Sequence, residues 1–210
     1  MPQRGQLVLS RLGRDREGSA IVEFAMVLPA LLTLFLGTFV MSDTLSCYRK
    51  VTVAARSLAD LVSRSVSPSS TPTTATLTTY LNAAQLTMTP FSATYTTLEV
   101  DELRVCDATH AYVAWSQAQS GGSASTPSLT AGTVVTIPTS MITTPMIPTS
   151  PDGTDVCSNT TPAANRTVVG TAGGYLMLGR VNYAYQPVYS FASMARYNVT
   201  DQIYMIPRLN

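Results

Sequence analysis

Residues 17–42 read Glu17-Gly-Ser-Ala-Ile-Val-Glu-Phe-Ala-Met-Val-Leu-Pro-Ala-Leu-Leu-Thr-Leu-Phe-Leu-Gly-Thr-Phe-Val-Met-Ser42, and how this stretch is read decides the fold. From Phe24 to Ser42 no residue is charged. At ~1.5 Å per residue that run makes ~29 Å of helix, close to the ~30 Å core of a bilayer. A buried core helix would be expected to use only about 10–14 such residues. Pro29 lies inside the run. A soluble helix would kink or break there, whereas membrane helices tolerate proline because neighbouring groups re-satisfy the freed carbonyl. A cleavable secretory signal is the competing reading. Its apolar region is usually ~7–15 residues long and ends in a small-x-small site, which Gly37-Thr38-Phe39 and Val40-Met41-Ser42 match poorly. The stretch reads as a membrane anchor with one carboxylate, Glu23, a turn inside its entrance. An acid near a membrane helix centre costs ~2.5–3.5 kcal/mol, less near the end, so its presence calls for a role.

Charge places the ends of this anchor. Residues 1–18 carry Arg4, Arg11, Arg14 and Arg16 against Asp15 and Glu17. These are four of the 13 basic and two of the 12 acidic residues, so nine and ten remain and the rest of the chain is near neutral. No basic stripe favours a nucleic-acid partner. Basic residues ahead of the span hold the N-terminus in the cytoplasm, although Arg49, Lys50 and Arg56 follow the span closely and weaken the asymmetry. The 210 residues suffice for an anchor and one modest globular domain, and low charge with abundant Ser and Thr suits an exported bacterial surface protein.

The helical pattern continues past the membrane. Leu45, Tyr48, Val51, Ala55, Leu58 and Val62 recur at gaps of three and four, the stripe of an amphipathic helix, while the charged residues fall largely off it. A helix from about Ser19 to about Ser65 is expected, ended by Ser67-Pro68. Residues 67–97 are rich in Ser and Thr. Leu77, Leu81, Ala84 and Met88 keep helical spacing there, so a short helix is expected at 73–88, a mucin-like stalk being the alternative. Strand signals follow. Leu103 and Val105 alternate with polar residues, Asp107-Ala108-Thr109 makes a turn, and Ala111 to Trp115 returns as a hairpin. Gln119 to Ser128 reads as a Gly/Ser loop and Thr133 to Ile137 as a strand. Met141 to Ala164, rich in Pro, Thr and Ser, reads as a loop. Tyr175 to Tyr185 reads as a long strand and Gln202 to Met205 as a last one. The fold class is α+β: a long helical spine carrying an antiparallel sheet.

Three cysteines are present. Cys106 and Cys157 both lie in the expected outer domain and could pair there. The loop closed would be about 50 residues, worth ~4 kcal/mol in the chain-entropy model. Cys47, just past the membrane, is left as a free thiol or an intermolecular link. Candidate chemistry elsewhere is thin. His110 is the only histidine and sits in a turn, as a surface residue does. Asp152, Gly153 and Asp155 loosely resemble a calcium loop without its full ligand set, so neither metal nor cofactor is expected. Asn159, Asn165 and Asn198 open N-x-Thr sequons of the kind that arise by chance in Thr-rich chains. Tyr183, Tyr185 and Tyr189 could form an adhesive surface, but alternating Tyr on a strand more often packs half-buried.

Arg16-Glu-Gly-Ser-Ala-Ile-Val-Glu-Phe-Ala-Met-Val-Leu-Pro-Ala-Leu-Leu32 resembles the TadE-like family of tight-adherence (Tad) pilus proteins. The family pattern is approximately R-x-G-x-x-x-V-E-F-A-x-V-x-P-x-L-L, and every position fits. Val113-Ala-Trp-Ser-Gln-Ala118 and Val181-Asn-Tyr-Ala-Tyr-Gln-Pro187 are weaker echoes, the latter similar to a V-x-Y-x-Y-x-P signature of the outer domain. The family often has an acid before that Val; this chain has Arg180.

The resemblance implies a minor pilin or pseudopilin that primes or tips a Tad pilus for surface adherence. It is larger than the family's major pilin and too short for the von Willebrand-type domain of longer relatives. It implies a leader, residues 1–18, cut by a prepilin peptidase between Gly18 and Ser19. The expected division is then leader 1–18, spine helix 19–66, Ser/Thr-rich segment 67–96 and outer domain 97–210. Glu23 and Phe24 fall at the assembly positions. Cutting creates an α-amine on Ser19, and Glu23 of a neighbouring subunit would neutralise it, setting axial register between packed helices. The competing role for Glu23 is to complement the helix dipole from the first turn. The implied partners are the peptidase, the major pilin, other minor pilins and an inner-membrane assembly platform. The N-terminus would be cytoplasmic and the outer domain periplasmic, then at the cell surface in the pilus. An uncleaved single-pass envelope protein is the alternative; no catalytic dyad supports an enzyme.

Overall fold

Fifty residues without a helix-ending signal form one helix, α1 (Arg16–Ser65), in a computed structural model that describes residues 16–65, 72–143, 146, 174–187 and 196–207. The chain divides into two compact units, and the division along α1 falls between Leu45 and Ser46.

In the first unit the helix is apolar on every side. Ile21, Phe24, Met26, Leu34 and Phe35 are each more than 60% exposed. An 18-residue window reaches mean hydropathy 2.2 with none of it buried. A helix that buries its apolar residues against nothing is not a core helix, and its length and composition suit a membrane span. Its hydroxyls are satisfied within the helix. Thr33 donates to Ala30 O at 2.8 Å, Thr38 to Leu34 O at 2.8 Å and Thr44 to Val40 O at 2.9 Å. Backbone carbonyls thus meet polar groups that lipid cannot. Pro29 is accommodated inside α1.

In the second unit the rest of α1 becomes one wall of a core. Cys47, Val51, Ala54, Ala55, Leu58, Ala59 and Val62 are all fully buried. The expected stripe holds from Val51 onward, but Leu45 and Tyr48 are each 48% exposed. The sheet selects small residues instead, because the helix lies close to it. A Cβ on Gly179 would come within 2.8 Å of Ala55 O and 3.1 Å of Ala59 Cβ. Cys47 is therefore core, which removes the intermolecular link expected as one of its two roles.

Helix α2 (Thr74–Leu86) starts where Thr73 accepts a bond from Thr76 N, and it buries Leu77, Leu81 and Ala84; Met88 follows them into the core. The strands are β1 (Thr96–Val105), β2 (His110–Ser120), β3 (Ser123–Ser125), β4 (Val134–Thr136), β5 (Tyr175–Tyr185) and β6 (Tyr197–Met205). They form one antiparallel sheet in the order β3-β2-β1-β5-β6, with β4 also pairing with β2. The expected Gly/Ser loop at Gln119 to Ser128 is instead mostly hairpin. Gly121 and Gly122, at φ of 60° and 84°, make the turn that lets β3 return on β2. Strand β6 begins at Tyr197, well before Gln202, because its first half pairs with Tyr183 to Tyr185 rather than ending at a turn.

Register sorts the side chains. Leu98, Val100, Met177 and Val181 face α1 and α2 in one cluster; Leu103, Val113, Leu176 and Leu178 face the opposite side, under Ile137 and Met146. A bulge at Ala114 resets β2 between these two regions, since Glu102 pairs with Trp115 but Leu103 with Val113. Central β1 is flanked by β2 and β5 and covered on both faces, so nine of its ten residues are buried.

Candidate processing and assembly site

Gly18 and Ser19 are the third and fourth residues of α1, and Glu23 is the eighth. The bond expected to be cut therefore lies in the helix's first turn. N–H groups of that turn have no intrahelical acceptor, and glycine is about 1 kcal/mol less favourable than alanine in a helix. Unwinding this one turn releases only the bonds its carbonyls accept, whereas unwinding a later turn would break bonds on both its N–H and its C=O side.

Glu23 and Phe24 are both exposed on the surface of α1, Phe24 at 61%. Glu23 lies a full turn beyond the region in which the helix dipole acts, so complementing that dipole does not account for it when the helix begins at Arg16. Around it Val22, Met26 and Val27 are more than half exposed. The surroundings thus offer lipid or another helix as neighbours. Glu23 and Phe24 lie five and six residues beyond Gly18, between one and two turns along α1 from the Gly18–Ser19 bond.

The other candidates resolve into structural roles or fall outside the described residues. His110 and Asp107 close the β1–β2 turn. Asp107 accepts from Thr109 N and His110 N at 2.7 Å each, and His110 Nδ1 lies 2.9 Å from Asp107 Oδ2. Burial is the largest single influence on the Asp107 carboxyl and pushes it up, but the bonds from Thr109 and His110 together outweigh it and hold the carboxyl at about 2. Thr109 Oγ1 meets the same ring nitrogen, at 2.9 Å, so the contacts do not run through the ring from acid to nucleophile as a catalytic relay requires. Tyr183 and Tyr185 are buried, packed edge-on against Phe91 at 5.6 and 6.4 Å, which is the packing role and not the adhesive one. Cys106 is disulfide-bonded. Cys157, Asp152, Gly153, Asp155, Asn159, Asn165 and Tyr189 lie outside the described residues; Asn198 is exposed on β6. Among the described residues no three His, Cys, Asp or Glu side chains gather as a metal site would need.

A buried charged cluster on β1 was not anticipated from sequence. Glu99, Asp101 and Glu102 are at most 4% exposed. On the α1 side, Glu102 accepts from Trp115 Nε1 at 2.6 Å; burial pushes its carboxyl up to about 7 against the opposing pull of that bond and of Arg104. On the other side, Glu99 accepts from Ser128 N at 2.9 Å and Leu129 N at 3.0 Å, and Arg180 stands 3.5 Å from its Oε2. Arg180, which replaces the acid expected before Val181, also donates to Ser128 Oγ. Asp101 accepts from Ser116 Oγ through Oδ1, while its buried Oδ2 has no hydrogen-bond partner. The signal was the run Glu99-Val-Asp-Glu-Leu-Arg104, too acidic for a central strand unless its acids are held.

The family model described as TadE-like protein matches residues 18–60. The chain thus carries a TadE-like segment that begins at Gly18, contains Glu23 and Phe24, and ends in the part of α1 that packs on the sheet. No curated protein and no solved structure matches the chain.

Proposed function

We infer from the TadE-like segment that the protein is a minor pilin or pseudopilin of a Tad pilus, a structural subunit and not an enzyme. The single observation that carries this reading is that the family match opens on Gly18, the residue after which a prepilin peptidase would cut. The leader is held on the cytoplasmic face by Arg4, Arg11, Arg14 and Arg16, and the outer domain is exported to the periplasm. Cutting leaves Ser19 as the first residue, with a cationic amine at neutral pH. Glu23 of the new subunit, fifth from that end, pairs with the amine of a neighbour. Each partner offsets the other's cost of burial in lipid, and the pair fixes how far one helix slides along the next. The subunit then joins the major pilin and other minor pilins at the inner-membrane platform, priming or tipping the pilus.

An uncleaved single-pass envelope protein is the second reading. The observation that favours it is the helical conformation of residues 16–19, which a peptidase must first undo. A peptidase-dependent mobility shift separates the two. Co-expression with the cognate peptidase removes about 18 residues from the wild type and none from Gly18→Val, whereas an uncleaved anchor runs at full length in every lane.

A further inference from the structure

The sheet face turned away from α1 holds a charged cluster with no part in anchoring or processing. Glu99 and Asp101 are two residues apart on β1 and so project from the same face. The groups that meet them come from each neighbouring element: Ser116 on β2, Arg180 on β5, Tyr204 on β6, and Ser128 and Leu129 on the loop between β3 and β4. Arg180 is the only cation among them, set against two carboxyls.

The geometry is that of two acids sharing one counter-ion. Glu99 uses its oxygens fully. It accepts from Ser128 N, from Ser128 Oγ at 2.7 and 2.8 Å and from Leu129 N, and it faces Arg180. These bonds, with the one Arg180 donates to Ser128 Oγ, tie the Ser128–Leu129 part of the loop to the sheet, while Gly132 and Thr133 further along it are held separately by backbone bonds to Val113. Asp101, wholly buried, has one oxygen on Ser116; its Oδ2 meets no donor, and the carboxyl lies within hydrogen-bonding reach of Glu99. An ionised carboxylate with a bare oxygen in such a place is costly, and a second negative charge beside Glu99 makes it more so. A protonated Asp101 removes both costs. Burial first, then the adjacent Glu99, push the Asp101 carboxyl up to about 7, against the Ser116 hydroxyl and Arg180.

We propose that the Glu99–Asp101 pair is a pH-sensitive latch on the outer domain. With one proton held between the two acids, Glu99 clamps the Ser128–Leu129 loop to the sheet. When that proton leaves, Asp101 competes for Arg180, repels Glu99 and releases the loop. The device responds to the acidity of the medium around the exported domain and stands apart from Gly18 and Glu23, so it holds whether or not the chain is a pilin.

Amide exchange of Ser128 and Leu129, followed by NMR on the full chain in detergent micelles between pH 5.5 and 8.5, reads the latch directly. After correction for the intrinsic rate, protection falls by up to about tenfold per pH unit, the slope of one linked proton, as pH rises toward the raised Asp101 carboxyl at about 7. Above it the fall levels off. Asp101→Asn removes that fall. Glu102→Gln, on the opposite face, keeps it. Ser116→Ala, which takes away a bond to the ionised form, raises the buried carboxyl and moves the levelling-off to higher pH, and this arm serves if Asp101→Asn folds poorly. Protection that is flat in the wild type, or that still falls tenfold per unit in Asp101→Asn, or a levelling-off unmoved by Ser116→Ala, overturns the proposal.

Discussion

Glu23 is a carboxylate on the surface of an apolar helix, the eighth residue of that helix, and that position sets its expected behaviour. Removing the charge makes insertion easier, so Glu23→Ala should reach the membrane in wild-type amount. It should fail to enter the pilus, because the amine of its neighbour loses its counter-charge. Quantifying the subunit in membranes and in sheared pili checks both halves, and normal incorporation would remove the assembly role. Asp101 and Glu102 set a second expectation at this scale. Both carboxyls are raised in the fold, from 3.8 and 4.5 to about 7. Between about pH 4 and 7 the folded chain therefore binds more protons than the unfolded chain. Stability gained from them is present at the acid end and is lost as pH rises through about 7. Denaturant midpoints of the full chain in detergent should fall from pH 5 to 8, and Asp101→Asn should flatten part of that fall. Asp107 acts in the opposite sense: its lowered carboxyl contributes above about pH 4 and loses that contribution as pH drops toward 2.

At the scale of elements, the contact between α1 and β5 decides how the outer unit packs. The Cβ missing from Gly179 would strike Ala55 O at 2.8 Å, a backbone atom that cannot step aside as a side-chain end would. Gly179→Val should cost about 1–3 kcal/mol by overpacking, read as a lower denaturant midpoint. Leu58→Ala, a fully buried truncation on the same helix, should cost about 2–5 kcal/mol. An unchanged midpoint for Gly179→Val would mean that the helix does not lie against that strand. These elements differed in how plainly the sequence announced them. Helix α1, helix α2 and strand β5 were legible because long apolar periodicity needs no partner to be seen. The close face of α1 was not: Cys47, Ala54 and Ala59 are small, and only the sheet beneath gives small residues their value, whereas Leu45 and Tyr48 looked like core by size alone. Strand β3 hid in Ser-Gly-Gly-Ser, where pairing with β2 outweighs weak strand propensity. The buried acids of β1 hid for a related reason. Charge reads as solvent until Trp115, Ser128 and Arg180, 13 to 81 residues away in sequence, arrive to hold it.

For the whole molecule, one helix serves two solvents. Its first half is apolar all round and suited to lipid; its second half is one-sided and belongs to a core. The TadE-like match spans that change, from Gly18 to residue 60, so one segment joins the proposed processing site and a candidate membrane span to the spine of the α+β domain. The TadE-like segment was legible in the sequence, since Arg, Gly, Glu and Pro at fixed spacing in an apolar run are visible without a fold. The outer domain's own chemistry was not, because it is assembled across four strands and a loop. The central claim is that this chain is made with a leader and matures by losing it. N-terminal sequencing of the protein recovered from cells that express the cognate peptidase tests that claim most directly. Ser19 as the first residue is the result predicted; an intact Met1 would contradict it.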